Sequence, residues 1–275
     1  MTFDAPPSPV FDAPPLPVFD APRLPVFDVE AHRGGAGLWP ENTLEAFGRA
    51  LALGVSTLEL DVHLTADGQL AVIHDETLDR TTDRTGRVAD LTMDEIREAD
   101  AGAAFVGPDG EGQPFAGRGL TVPTLPEVLE WLPDTTGIVI EIKARAASDA
   151  VVTAIAGHPA KADGRVSVIS FDEATIDRVR ELDPTIRTGY LVAPGQAIDE
   201  AFAWASGRGH TGVHPWEGDL GADPLPLLAQ AKILGLEVGC YVVDDPGRMR
   251  FLSDTGLWGF VTDVPDVAVE TLGRS

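Results

Sequence analysis

The chain has 275 residues, of which 44% are hydrophobic, and it carries a formal net charge of −24. This length and apolar content suffice for one large α/β domain or two small ones. The acidic surface repels polyanions, which argues against nucleic acid as a partner and against stable association with anionic membranes. The only cysteine is Cys240, which excludes an internal disulfide and a cysteine-based zinc site.

The first 26 residues form a proline-rich repeat with the units FDAPPSPV, FDAPPLPV and FDAPRLPV. Proline removes backbone donors and favours polyproline II, so this segment is predicted to be a disordered tail outside any sheet. A docking segment for a proline-binding partner is the alternative. Because the start lacks a basic segment followed by an apolar run, no signal peptide is predicted and a cytoplasmic location is expected.

From residue 27 onward, short apolar runs alternate with amphipathic segments. Nine runs are predicted to be strands: VFDVEAH, TLELDV, LAVIHD, IVIEIK, VSVIS, RTGYLV, TGVHP, EVGCYVV and GFVTD. Helices are predicted after PENT and, most clearly, over SDAVVTAIAG, DEATIDRVREL, PLPLLAQAKILG and PGRMRFLSDTG. Capping boxes at Thr92 with Glu95 and at Thr124 with Glu127 support two further helix starts. The alternation indicates βα units and a parallel sheet.

The second and third strands are too close together for a crossover helix, since only the four residues 65–68 separate them. Asp67 and Gly68 between alternating apolar residues indicate a hairpin, and a turn centred on them pairs Asp61 with His74. The other eight strands predict a (β/α)8 TIM barrel over residues 27–275. An open doubly wound sheet is the alternative, disfavoured because no Gly-x-Gly-x-x-Gly turn follows the first strand.

The segment from about residue 76 to residue 122 does not fit a barrel unit. It holds TTDRTGRV, a short helix and a stretch rich in glycine and proline. Long irregular insertions in compact domains often serve as lids. The position just after His74 predicts a cap over the active face.

Three acidic residues are predicted to point into the barrel. Glu59 and Asp61 share one face of TLELDVHL, opposite its leucines, and Glu141 takes the same orientation in IVIEIK. Neighbouring buried carboxylates repel each other unless a cation neutralises them, and such oxygen ligands suit Mg²⁺ or Ca²⁺. The alternative is a structural ion-pair cluster with Lys143 or Arg33.

Two histidines end predicted strands beside these acids. They are His32, which Arg33 follows, and His74. Their placement predicts a general acid and a general base. His63 is expected to lie on the surface, and His214, at the end of TGVHP, is considered as a weaker candidate for the pocket.

Several segments together resemble the glycerophosphodiester phosphodiesterase family: AHRGG, PENTLEAF, LELDVHLTADGQLAVIHDETLDRTTDRTG, VPTLPEVL, IVIEIK and GFVTDVPD. The resemblance implies a (β/α)8 barrel with an insertion after the His-Asp motif. It also implies hydrolysis of small-molecule glycerophosphodiesters to glycerol 3-phosphate and an alcohol, with a divalent cation. The implied site consists of His32 and His74 as acid and base, Glu59, Asp61 and Glu141 as metal ligands, and Arg33 and Lys143 as phosphate-binding residues.

One strand end departs from the family pattern. Tyr241, Val242, Val243 and Asp244 stand where the family usually has Trp-Thr-Val-Asn, which points to a different alcohol or glycerol pocket. Two rival functions are a non-catalytic glycerophosphate-binding barrel and a phospholipase-D-like phosphodiesterase acting on lysolipids or sphingolipids. The complete set of seven expected groups argues against the first, and the single cysteine and acidic surface argue against the second. The oligomeric state and the attacking oxygen, water or the glycerol 2-hydroxyl, are left open.

Overall fold

The computed structural model describes residues 28–110 and 112–273, so the proline repeat of residues 1–26 lies outside the described residues. The described part contains a nine-stranded sheet. Its strands are β1 (Asp28–Ala31), β2 (Thr57–Leu64), β3 (Leu70–Val72), β4 (Gly137–Ile142), β5 (Val166–Ser170), β6 (Arg187–Val192), β7 (Gly212–Pro215), β8 (Glu237–Cys240) and β9 (Gly259–Thr262). Each overlaps one of the predicted runs.

Eight of these strands are parallel and close into a barrel. The order is β1-β9-β8-β7-β6-β5-β4-β2, and β1 pairs with β2 to complete the circle. The structure confirms the (β/α)8 prediction, and closure excludes the open sheet. The carboxyl ends of all eight strands therefore meet at one end of the barrel, called the rim below, which is where TIM-barrel active sites lie.

Helices follow most barrel strands and surround the sheet. They are α1 (Leu44–Ala52), α2 (Met93–Ile96), α3 (Leu125–Trp131), α4 (Ser148–Ile155), α5 (Pro159–Ala162), α6 (Glu173–Leu182), α7 (Ile198–Arg208), α8 (Leu225–Ile233), α9 (Pro246–Ser253) and α10 (Pro265–Leu272). Both predicted capping boxes are present, at Thr92 before α2 and at Thr124 before α3. Within the described ranges, none of these helices has both the length and the apolar character that a membrane crossing requires.

The main core lies between the strands and the helices. Strand β2 shows how the sequence builds it, because Leu58, Leu60 and Val62 are fully buried in the cluster that the helices complete. Burying one such side chain contributes about 1.5–3 kcal/mol. The alternate positions of the same strand, Glu59 and Asp61, face the barrel interior, as their period of two predicts.

The predicted hairpin is present, but its predicted register was wrong by one residue. The amide of Ile73 donates to the carbonyl of Asp61 at 3.0 Å, so Ile73 and not His74 lies opposite Asp61. The turn contains three residues, 66–68, because the amide of Thr65 donates to the carbonyl of Gln69 at 2.9 Å. Gly68 takes the left-handed conformation, with φ 79°, that such a turn requires.

The segment between β3 and α3 has a small core of its own. Leu78, Val88, Met93, Ile96 and Phe115 are buried together there, with Ala71 of β3. Its first turns reach the rim through Arg80, described below. That the whole insertion acts as a cap stays a prediction.

Candidate active site

Three carboxylates form a buried group at the rim. One oxygen from each of Glu59, Asp61 and Glu141 lies within 4.8 Å of the others. The residues are 2%, 0% and 8% exposed. The parallel register places Asp61 directly beside Glu141, so neighbouring strands present their acids at one level. All donors are carboxylate oxygens within mutual reach, so the group fits a hard divalent cation.

The carboxylates strongly perturb one another. Burial and the charge of Asp61 raise the pKa of Glu59 to about 7. Burial acts on Asp61 in the same direction, but the charges of Lys143 and Arg33 outweigh it and hold the pKa of that carboxyl well below its usual range. A divalent cation would remove the repulsion that keeps Glu59 partly protonated.

Two basic side chains lie against the same group. Lys143 Nζ is 2.8 Å from Asp61 Oδ1 and 2.7 Å from Glu141 Oε1. Arg33 Nε is 3.2 Å from Asp61 Oδ2. The ion pairs considered as an alternative to a metal site therefore do form. They leave three carboxylates facing two fixed cations, and they hold Arg33 and Lys143 at the rim.

The loop after β1 places Arg33 at the cost of backbone strain. Arg33 has φ 51°, in the left-handed region that non-glycine residues rarely adopt. Two hydrogen bonds hold it there: its amide donates to Glu59 Oε2 at 3.0 Å, and its carbonyl accepts from the amide of Asn42 at 2.9 Å. Gly35, with φ 96°, then turns the chain away.

The PENT stretch supplies two contacts that support this loop and one that caps α1. Asn42 Nδ2 donates to Asp61 Oδ2 at 2.8 Å. Glu41 Oε1 accepts from Arg33 Nη1 at 2.9 Å. Thr43 accepts from the amide of Ala46 and caps α1. The stretch therefore begins a helix and orients site residues at once.

His32 forms a dyad with Asp263, which follows β9. The two side chains are joined by a hydrogen bond of 2.6 Å from Nδ1 to Oδ1. Burial disfavours the imidazolium, but the Asp263 hydrogen bond and the charge of Glu59 prevail and raise the pKa of His32. Asp244 Oδ1 accepts from the Asp263 amide and the Thr262 hydroxyl, each at 2.9 Å. Asp244, one of the residues that differ from the family pattern, therefore anchors the loop that carries Asp263.

His74 forms a second dyad, with Asp75, at 2.6 Å from Nδ1 to Oδ1. Here burial prevails, and with the charges of Lys143 and Arg33 it lowers the pKa of His74. Asp75 in turn accepts from Arg80 Nε at 2.7 Å.

Arg80 extends this contact to the loop after β1. Its two terminal nitrogens each donate to Glu41 at 2.8 Å. One guanidinium from the insertion thus joins the loops of both histidines. Sequence reasoning missed Arg80 and Asp263, although both lie inside the quoted motifs, DETLDRTT and GFVTD.

The family model described as glycerophosphoryl diester phosphodiesterase family matches residues 32–267. The chain belongs to this family.

Individual relatives agree with this assignment. A glycerophosphodiester phosphodiesterase of Caldanaerobacter subterraneus is 35% identical over 253 residues, covering 90% of this chain and 98% of the relative. One of Bacillus altitudinis is 32% identical, covering 87% and 96%. A phosphodiesterase of Oleispira antarctica, solved with its product sn-glycerol-3-phosphate, has a TM-score of 0.77 at 27% identity, covering 90% of this chain and 96% of that structure. The protein is an enzyme of the phosphodiesterase class.

The surface expectation for His63 in this phosphodiesterase was wrong, and the weaker candidate His214 is not part of the site. His63 is partly buried, and its Nε2 donates to the carbonyl of His74 at 2.9 Å, because the chain after β3 folds back over β2. His214 does not reach the rim. Its ring lies at the other end of the barrel, edge-on to Trp258, because the rim position of β7 is taken two residues later by Trp216.

Proposed function

We propose that the protein is a divalent-metal-dependent glycerophosphodiester phosphodiesterase that releases glycerol 3-phosphate and an alcohol by acid–base catalysis with His32 and His74. The observation that carries this proposal is one buried oxygen-donor group flanked by both histidine dyads and both basic side chains. The small-molecule product seen in the Oleispira antarctica relative supports the same reaction for this chain.

Glu59, Asp61 and Glu141 would hold the metal ion, Mg²⁺ or Ca²⁺, since both take oxygen ligands. When bound, such an ion neutralises phosphate charge and acts as a Lewis acid. The repulsion among the three carboxylates is offset by the charges of Lys143 and Arg33 and by partial protonation of Glu59. This arrangement is expected of a site that binds a cation.

Arg33 and Lys143 are proposed to bind the phosphate oxygens. Both are buried for most of their length and point their donors at the carboxylate group. Charge-assisted hydrogen bonds from such fixed donors stabilise the charge that develops on the oxygens in the transition state. A guanidinium already held by Glu41 needs little reorganisation when the substrate arrives.

His74 is assigned as the general base and His32 as the general acid. The lowered pKa of His74 keeps its imidazole neutral and able to accept a proton from the attacking oxygen. The raised pKa of His32 favours its imidazolium form, which can protonate the leaving alcohol. Asp263 accepts from Nδ1, so the opposite nitrogen, Nε2, carries the transferred proton.

The test is release of glycerol 3-phosphate from a panel of glycerophosphodiesters after chelation and after return of Mg²⁺ or Ca²⁺. We expect no release in the chelated protein and recovery with one of the two ions. Full activity in chelator would exclude the metal role. Tight binding of glycerol 3-phosphate without turnover would favour the non-catalytic barrel, and turnover confined to lysolipids would favour the phospholipase-D-like rival.

A further inference from the structure

The rim has two halves of different chemistry. The loops after β1, β3 and β4 carry the basic groups His32, Arg33, His74, Arg80 and Lys143. The loops after β5, β6, β7 and β8 span residues 171–172, 193–197, 216–224 and 241–245. These four loops contain no lysine, arginine or histidine. They contain six acidic residues: Asp172, Glu217, Asp219, Asp223, Asp244 and Asp245. A phosphodiester bound by the first half would extend one of its two ester arms toward the second.

Three aromatic residues stand on the acidic half, and we call them the aromatic wall: Phe171, Trp216 and Tyr241. Phe171 and Tyr241 meet edge to face, with ring centroids 5.6 Å apart. Trp216 pairs with Tyr241 in a parallel bridge. Phe171 is 43% exposed and Trp216 41% exposed. Exposed aromatic side chains on neighbouring strand ends of a binding face indicate a ligand that covers them.

The wall lies beside the carboxylate group and is firmly held. Tyr241 donates its hydroxyl to the carbonyl of Val192 at 2.7 Å, which fixes its ring. Burial and the charges of Glu141 and Asp219 raise the pKa of Tyr241, so the phenol has a site carboxylate and a rim carboxylate as neighbours. Ile169 pairs with Glu141, which places Phe171, two residues later, beside Lys143. The wall thus begins where the proposed phosphate site ends.

One rim carboxylate is positioned to act as a counter-charge. Asp219 Oδ2 accepts from the amide of Gly195 at 2.8 Å, which fixes the carboxylate, and its charge acts on the phenol of Tyr241. Glu217 is paired with Arg248, and Asp244 is engaged by the loop of Asp263. Asp219 therefore contributes negative potential beside the rings.

We propose that the aromatic wall and Asp219 bind a quaternary ammonium group on the alcohol of the substrate. The inference rests on the proposed function, since it concerns the alcohol side of the same phosphodiester. Aromatic faces attract cations, and a quaternary ammonium has no N–H donors, so it needs surrounding rings and nearby negative charge in place of hydrogen-bond acceptors. The acidic loops would repel an anionic alcohol and give no advantage to a neutral one.

The test compares kcat/KM for glycerophosphocholine with that for the glycerophosphodiester of 3,3-dimethylbutanol, which has the same shape without the charge. We expect glycerophosphocholine to be favoured at least about tenfold, the size of a desolvated cation–π contribution. Glycerophosphoethanolamine should fall between them. If it is the best of the three, the acids act without the rings and the aromatic role is wrong.

Variants locate the effect. Phe171→Leu, Trp216→Leu and Asp219→Asn should each reduce the ratio between the charged and neutral substrates, and Tyr241→Phe, which keeps the ring, should preserve it. Glu181→Gln removes one negative charge from the exposed side of α6, where its side chain is 66% exposed, and should leave the ratio unchanged.

The two proposals fail separately. Equal kcat/KM for the charged and neutral substrates in the unaltered protein would overturn the headgroup inference and leave the phosphodiesterase intact. Absence of glycerol 3-phosphate release from every substrate would instead contradict the proposed function.

Discussion

The barrel buries ionisable groups at both ends, but their surroundings differ. At the rim, each of the two histidines has a carboxylate partner at 2.6 Å. At the opposite end, which we call the floor, no hydrogen bond from the described residues reaches the ring of His214. Burial, with the charge of Arg187, lowers the pKa of His214 to about 4. A histidine that must carry charge during a reaction needs a partner, and a histidine that fills space does not.

The positions of glycine residues show the same difference between the rim and the floor. At the floor, a Cβ on Gly189 would lie 2.5 Å from His214 Nε2, and one on Gly239 would lie 2.6 Å from Nδ1, so these glycines make room for the ring. At the rim, the equivalent inward positions are occupied by acids, bases and aromatic rings. We infer that the rim determines chemistry and the floor determines stability, as in other TIM barrels.

The largest expected effect is at the carboxylate group. Asp61→Asn removes one proposed metal ligand and the main partner of Lys143 and Arg33. Several kcal/mol of transition-state stabilisation should be lost, or about 10³–10⁴ in kcat/KM. Calorimetric titration with Mg²⁺ or Ca²⁺ should show weakened binding in parallel. Unchanged metal affinity in Asp61→Asn would contradict its role as a ligand. Glu59→Gln should also lose activity but gain some stability, since it relieves repulsion.

The histidines come next. His32→Ala and His74→Ala should each lower kcat by about 10²–10⁴ without lowering the melting temperature much, because both lie on the rim. His158→Ala is the matched control: that residue caps α5, far along the chain from either dyad, and its loss should leave kcat near the original value. Near-normal turnover in either rim variant would remove that histidine from the mechanism.

The pH profile follows from the two opposite shifts. A base with a lowered pKa stays deprotonated to lower pH, and an acid with a raised pKa stays protonated to higher pH, so kcat/KM should show a broad plateau around neutrality. Asp263→Asn removes the charged partner of His32 and should move the high-pH limb down by about one unit, leaving the low-pH limb in place. Movement of the low-pH limb alone would reverse the acid and base assignment.

The smallest effect on catalysis is expected at the floor. Gly239→Ala forces a Cβ against the His214 ring and should destabilise the fold by about 1–3 kcal/mol. The folded fraction should keep its kcat. The double variant Gly239→Ala with His214→Ala should recover part of the lost stability in denaturant unfolding. A large loss of kcat in the folded single variant would show that the two ends of the barrel are not independent.

The sequence was sufficient for the barrel and for the place of the main side chains. Period-two alternation put Glu59, Asp61 and Glu141 inward, and parallel pairing brings strand ends together, so all seven predicted residues lie at the rim. Their catalytic roles stay predictions.

The hydrogen-bond partners of these residues could not be predicted from the sequence in the same way. Alternation tells which face a residue occupies but not which distant loop meets it, and Asp263 lies 231 positions from His32. The register of the hairpin failed for a related reason: a two-residue and a three-residue turn both accept Asp67-Gly68, and only backbone geometry separates them.

Arg80 gives the insertion a role in supporting the site residues. Because one guanidinium joins Glu41 to Asp75, a local opening of this segment would release Asp75 of the His74 dyad and Glu41, which holds Arg33, while the remaining barrel stays folded. Heat should therefore inactivate the protein at temperatures where the barrel still holds its secondary structure, and grafting a foreign segment in this place would have to carry an arginine with it.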